Sequence, residues 1–392
     1  MIVIVLELVL VLVLFWIYTE GHGRVVLSMA LFSGHLNRVW LRRSKIEDEF
    51  EDDYDHGERG LSTGNGLSQP DQRHMGTNEK FTVVLSSVFA LLALSSIVTW
   101  ILHSRLTAGQ PNQKIIATLD NLTARVKAWW VMAAVLAIAF LLGATATLLV
   151  FAIGSFMALR EFLRLTQTWP EDHAALAVAF FLVLPFQYLL IGIQWYGLFA
   201  IMIPVYTFLI LPIFPVIRQE TTHFLERTAR LQWGLMLTVY CISHAPALLL
   251  LTIPNYTKQN ALLLFYLVFV TQLSDVLQYV FGKLLGRTSI APAISPSKTI
   301  EGLIGGGASA ILCGTLLWWI TPFTPIQALG FAALIVVFGF AGGLVLSAVK
   351  RSLGVKDWGN SIAGHGGALD RLDSLSFSAP VFFHLVRYFF SV

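Results

Sequence analysis

Between Ser347 and Ser374 the chain carries three carboxylates (Asp357, Asp370, Asp373) and four fixed cations (Lys350, Arg351, Lys356, Arg371). His365 and the turn Gly364-His365-Gly366-Gly367 fall in the same 28 residues, with apolar runs on both sides. Ionisable groups at that density beside a bilayer are costly, and their presence points to function. The cations can grip several phosphate oxygens, the arginines as bidentate forks. Asp370 and Asp373 are three apart, so a helix sets both on one face. Two carboxylates on one face suit Mg²⁺, which prefers oxygen ligands and keeps substrate phosphates in its shell. Gly366 and Gly367 let backbone approach an anion closely, and a helix starting just after them would aim its N–H groups at it. Together these residues fit a polyphosphate nucleotide better than an ordinary charged loop.

A second polar cluster spans residues 275–301. Asp275 lies deep in an apolar run, where a carboxylate needs a cation, a metal or water. Tyr279 is one turn later on the same face, with a hydroxyl that can donate or accept. Ser295, Ser297, Lys298 and Thr299 place hydroxyls and an ammonium just before a glycine-rich run, a composition suited to clamping phosphate. The same Ser-Pro-Ser-Lys-Thr string also reads as a helix-start turn. The chain contains no G-x-x-x-x-G-K-[ST] element, so any nucleotide site is not a P-loop.

The elements that must position these residues are membrane helices. The chain is 56% hydrophobic and 12% charged, which excludes an ordinary soluble domain and marks a polytopic membrane protein. The net charge of +3 gives no ground for a nucleic-acid partner. Cys241 and Cys313 each sit in an apolar run and support neither a disulfide framework nor a zinc site. Residues 1–18 are apolar, lack a basic n-region and a cleavage site, and read as a membrane anchor rather than a removed signal peptide. Residues 19–80 are polar, contain the acidic run Glu47 to Asp55, and read as a flexible linker. Spans are expected near 81–103, 174–193, 195–217, 231–252, 260–281, 302–320, 326–349 and 374–391. Residues 129–159 read as two short spans in a hairpin with Gly143 near its middle, with one long tilted helix as the alternative. Barrel-type alternation is absent, so the expected fold is an all-α polytopic membrane helical bundle of about 9–11 transmembrane helices.

With that hairpin, the loops 104–128, 160–173, 218–230, 282–301 and 350–373 share one side. They hold 16 of the 26 Lys and Arg residues, so this side is expected to be cytoplasmic and to carry both polar clusters. The linker 19–80 holds eight more basic residues and leaves the N-terminal topology open.

The two clusters closely resemble the hallmarks of the CDP-diacylglycerol synthase (phosphatidate cytidylyltransferase) family. The first is carried by Ser347, Lys350-Arg351, Lys356-Asp357, Gly364-His365-Gly366-Gly367, Leu369-Asp370-Arg371 and Asp373-Ser374. The second is carried by Asp275, Tyr279, Gly282, Ser295-Pro296, Lys298-Thr299 and Glu301-Gly302. Arg160-Glu161-Phe162 is also similar to the family. The resemblance covers residues 125–392; residues 81–124 read as an extra transmembrane helix and loop.

The resemblance implies condensation of CTP with phosphatidate to CDP-diacylglycerol and pyrophosphate, by a multi-pass protein of a bacterial inner membrane, with a homodimer as one assembly open to it. It implies Mg²⁺ on Asp370 and Asp373, with Asp275 as a further ligand. Lys298, Lys350, Arg351, Lys356 and Arg371 would hold triphosphate and lipid phosphate. Tyr279, Ser295, Ser297, Thr299, Glu301, Gly366 and Gly367 would line the substrates. Asp357 would ligate metal or orient Lys356, and His365 would donate to a phosphate or shape the turn. One departure stands out. The family usually carries Gly-Asp-Leu and then Glu before the serine; here Gly343 and Leu346 stand at the two acid positions. That departure keeps two other functions open: CTP-dependent transfer to another lipid, such as a polyprenol or ether-lipid phosphate, and a catalytically inactive transporter or scaffold.

Overall fold

A break at Gly143, with φ of +99°, separates two membrane helices and produces the hairpin expected at 129–159. A side chain there would be strained by the left-handed backbone, which glycine adopts freely. The computed structural model describes residues 76–107, 113–166, 172–219, 221–359, 361 and 366–391. The expected anchor 1–18 and nearly all of the linker 19–80 lie outside the described residues.

In chain order the elements are α1 (Thr77–Thr107), α2 (Gln113–Leu142), α3 (Ala144–Leu165), α4 (His173–Gly192), α5 (Tyr196–Ile217), α6 (Phe224–Leu250) and α7 (Asn260–Leu285). A small hairpin follows, β1 (Ser289–Ala291) and β2 (Ser295–Thr299), then α8 (Gly302–Leu316), α9 (Pro325–Ser352) and α10 (Leu369–Phe390). Among the described residues, the first seven helices and α9 are the eight that are long and apolar enough to cross a bilayer. The chain is thus an all-α multi-pass membrane bundle. The span expected at 302–320 is realised as α8, shorter than the roughly 20 residues a bilayer core requires. The span expected at 374–391 is realised as α10, which begins at Leu369 with Asp370, Arg371 and Asp373 in its first turns and is not among those eight.

The ends of α9 are well marked. Thr324 forms a capping box with Gln327, and Pro325 fills the first turn, where its missing N–H costs nothing. Lys350 and Arg351 lie in the last turn, where cations suit the helix dipole. The string Ser295-Pro-Ser-Lys-Thr is strand β2, antiparallel to β1 with Ser289 opposite Thr299. It also starts α8, because Thr299 Oγ1 accepts the Gly302 N–H at 3.1 Å.

Close glycine contacts bring the polar segments together. A Cβ at Gly306 would stand 2.5 Å from Gln278 Cα, so α8 lies directly against the backbone of α7 beside Asp275. A Cβ at Gly342 would stand 2.8 Å from the Asp373 carbonyl oxygen, so α9 and α10 are equally close. Gly306→Val should therefore force the α7–α8 contact apart and destabilise the fold by about 1–3 kcal/mol. A lowered thermal midpoint of the detergent-solubilised protein would show it, and an unchanged midpoint would contradict this packing.

Candidate active site

Asp275 on α7 and Asp373 on α10 are joined through one side chain. The Ser374 hydroxyl donates to Asp275 Oδ1 at 2.9 Å and lies 3.5 Å from Asp373 Oδ1, while the Ser374 N–H donates to Asp373 Oδ1 at 2.7 Å. Carboxylates nearly a hundred residues apart thus share a serine inside the bundle. Such a pair repels itself and calls for a cation.

Lys298 approaches this pair from the end of β2. Its ammonium donates to the Phe340 carbonyl at 3.4 Å and lies 4.8 Å from the centre of the Phe340 ring. Burial pushes it below the ordinary lysine value, while the fields of Asp275 and Asp373 act in the opposite direction. Among the described residues, Lys298 makes no direct ion pair with either acid. Arg371 contributes positive potential at Asp275 and has its Nε buried without a hydrogen-bond partner. A buried donor without an acceptor is uncommon, and a ligand anion would satisfy it.

Asp370 is directed elsewhere. Its Oδ1 accepts from Lys350 Nζ at 2.7 Å, and its Oδ2 accepts the N–H groups of Trp358 and Gly367, each at 2.9 Å. Both side chains of this ion pair are largely buried. The three-aspartate cluster expected from sequence is not assembled: among the described residues no group of three His, Cys, Asp or Glu side chains could hold a metal ion. The physical reason is that Asp370 has three donors of its own, and only Asp275 and Asp373 remain together.

The glycine turn also has an occupant from within the chain. Gly366 has φ of +80°. The N–H of Gly367 goes to Asp370, and those of Ala368 and Leu369 go to Glu161, each at 2.9 Å. Ser361 adds a hydroxyl donor to Glu161 at 2.6 Å. The first N–H groups of α10 therefore bind protein carboxylates, where a substrate anion was expected. Glu161 lies on α3 and is buried. The sequence reading noted it only as part of Arg160-Glu161-Phe162. Its signal was a carboxylate near the end of an apolar span.

The remaining candidates divide by exposure and partner. Arg351 is exposed and ties the two clusters together, donating to the carbonyls of Ile294 and Val355, each at 3.1 Å. Lys356, Asp357, Ser297 and Tyr279 are exposed near the same loops, and Ser295 Oγ lies 3.5 Å from Ser297 Oγ. Glu301 accepts the N–H groups of Arg287 and Thr288 at 3.0 and 3.2 Å, which hold its carboxyl down at about 2. Its carboxylate thus braces the entry to the hairpin. His365 and Gly364 lie outside the described residues.

A sequence profile described as the Cytidylyltransferase family matches residues 123–389. The chain belongs to this family. It is 37% identical over 305 residues to the uncharacterized protein YnbB of Escherichia coli K12, covering 78% of this chain and 97% of that protein. It is 32% identical to the phosphatidate cytidylyltransferase of Bacillus subtilis, covering 62% of this chain and 89% of that enzyme. It is 37% identical to the phosphatidate cytidylyltransferase of Aquifex aeolicus over 35% of this chain and 52% of that enzyme. Of the two positions where this cytidylyltransferase-family chain lacks an expected acid, Leu346 is fully buried core and Gly343 faces Lys298.

Two outcomes follow from this geometry. Glu161→Ala leaves at least two helix-start N–H groups without an acceptor, at about 1–3 kcal/mol each; faster hydrogen exchange at Ala368 and Leu369 would show it. Lys350→Met strands a buried Asp370 carboxylate and should lower stability by about 3–5 kcal/mol, read as a lower thermal midpoint in detergent.

Proposed function

We propose that this protein is a phosphatidate cytidylyltransferase, condensing CTP with phosphatidate to CDP-diacylglycerol and pyrophosphate. The observation that carries the reading is the meeting of the two polar clusters, remote in sequence, around Asp275, Asp373 and Lys298. The family membership supports cytidylyl transfer, and the activity for which the Bacillus and Aquifex relatives are named supports this acceptor.

A phosphatidate oxygen, already anionic near neutral pH, attacks the α-phosphorus of CTP. The bond from that phosphorus to the β-phosphate bridging oxygen breaks, and pyrophosphate leaves with the electron pair. No strong general base is required; the obstacle is the approach of one anion to another. Positive groups lower it by neutralising charge and aligning the reactants. Lys298 acts on both acids, Arg371 on Asp275 and Lys350 on Asp373, and Arg371 has a free donor at Nε. Arg351 and Lys356 are exposed at the mouth and suit the lipid phosphate or the outer phosphates of CTP. Lys350 acts through Asp370 to hold the loop. Asp275 and Asp373, two buried carboxylates joined through Ser374, are the oxygen donors present for a divalent ion, whose remaining positions suit substrate phosphates and water. Asp275 and Asp373 would hold Mg²⁺, which when bound supplies charge neutralisation at the triphosphate. The excess of Lys and Arg in the loops on this side supports a cytoplasmic active site, where CTP is made.

The second reading changes the acceptor: a polyprenol or ether-lipid phosphate in place of phosphatidate. The specific observation behind it is Gly343, which removes an acid from the family's usual site. Membranes containing the protein should convert labelled CTP into lipid-soluble label when given phosphatidate and Mg²⁺. Asp373→Asn should lower that label by a factor on the order of a hundred or more. Equal label from wild type and Asp373→Asn would sink the assignment, and label with polyprenyl phosphate alone would select the second acceptor.

A further inference from the structure

Lys298 reaches the acid pair from a hairpin that cannot hold itself in place. The ladder of β1 and β2 consists of Ser289 opposite Thr299 and Ala291 opposite Ser295, with a break in register between the two pairs. A lone two-stranded ribbon is marginal in water, so its position depends on what it is tied to. Its base is tied firmly. Glu301 accepts the N–H groups of Arg287 and Thr288. Thr299 packs against the end of α7, where a Cβ at Gly282 or Gly286 would stand 3.1 or 2.8 Å from its hydroxyl oxygen. The tip is held differently. Among the described residues, Arg351 is the one side chain from outside the hairpin that hydrogen-bonds the tip, donating from Nε to the Ile294 carbonyl at 3.1 Å. Its Nη1 donates to the Val355 carbonyl at 3.1 Å, so the guanidinium pins the tip to the chain that leaves α9. Lys298, further along β2, makes the other tie to α9, at the Phe340 carbonyl. Phe340 and Arg351 are eleven residues, about three turns, apart and so lie on one face of α9. The hairpin therefore lies along that face, pinned at its tip by Arg351 and nearer its base by Lys298.

We propose that Arg351 is a positioning residue: by holding the hairpin tip to the end of α9 it keeps Lys298 at Asp275 and Asp373. The proposal rests on the reading of that acid pair with Lys298 as the site of cytidylyl transfer. Arg351 acts there through two backbone carbonyls and the geometry of its fork, not through its charge. Lysine would keep the charge but lacks the planar, fixed pair of donors. The fields of the two acids draw the Lys298 ammonium inward, while burial opposes its charge and solvent competes for it. Its one hydrogen bond, to Phe340 at 3.4 Å, is long. With the balance this close, the freedom of the strand that carries Lys298 decides where the ammonium rests, and Arg351 removes that freedom.

Two measurements on the full chain in detergent test this. In the first, a water-soluble amine-reactive ester labels the lysines and mass spectrometry reads the rate at each. Arg351→Gln should raise the rate at Lys298 by about tenfold and leave Lys350, held by Asp370, within about twofold of wild type. An unchanged rate at Lys298, or equal rises at both lysines from a general loosening, would overturn the proposal. The second is a double-mutant cycle on the transfer of label from CTP to phosphatidate. Arg351→Lys should slow turnover about tenfold with Lys298 present and less than about twofold when Lys298→Met is already in place, because both changes remove the same group. Equal slowing in the two backgrounds means that Arg351 meets the substrates directly, and the proposal fails. The labelling needs no turnover. A wild type that transfers no label, while Lys298 responds to Arg351→Gln as expected, sinks the cytidylyltransferase reading and leaves the tie between Arg351 and Lys298 intact.

Discussion

Two carboxylates held side by side within a membrane bundle set the terms for everything around them. Asp275 and Asp373 come from helices far apart in the chain, and a single hydroxyl, Ser374, binds both. Bringing like charges together away from water is unfavourable unless cations are supplied. Lys298 is brought in on a strand, and Arg371 sits three residues before Ser374. The close helix contacts serve the same end. Gly342 allows α10 to lie against α9, Gly306 allows α8 to lie against α7, and the two acids meet where these pairs converge.

A second layer of polar residues makes that meeting rigid. Asp370 collects Lys350, Trp358 and Gly367; Glu161 collects Ser361, Ala368 and Leu369. These two carboxylates close the loop between α9 and α10 onto α3. Trp358 stacks on Phe162, one residue beyond Glu161, and fills the space beneath the loop. The charged stretch of the sequence thus separates into groups that hold the loops and groups gathered at the acid pair. Lys350, Asp370, Glu161 and Glu301 belong to the first. Asp275, Asp373, Lys298 and Arg371 belong to the second.

The departure at Gly343 gains a physical meaning from this division. Alone, it reads as a lost metal ligand. Beside Lys298 it leaves the lysine ammonium in the space that a side chain at 343 would enter. The lost acid at Leu346 has no such consequence, because that side chain is packed in the core.

Local chemistry, read along the chain, determined the class of fold and the two segments that matter. Apolar runs of bilayer length leave helix as the way to satisfy backbone groups in lipid, and the break at Gly143 was legible because a thirty-residue run exceeds one span. The hallmark residues were legible because charged groups beside a membrane are few. What the sequence could not decide was which charge faces which. Asp370 and Asp373 are equivalent by helical spacing, yet one is drawn to Lys350 and two backbone donors while the other meets Asp275. Gly366 and Gly367 match an anion cradle, yet the anions nearest them are Asp370 and Glu161, the latter some two hundred residues away. Partner choice among charges depends on distances in space between remote segments, and only the packing of α3, α7, α9 and α10 sets those distances.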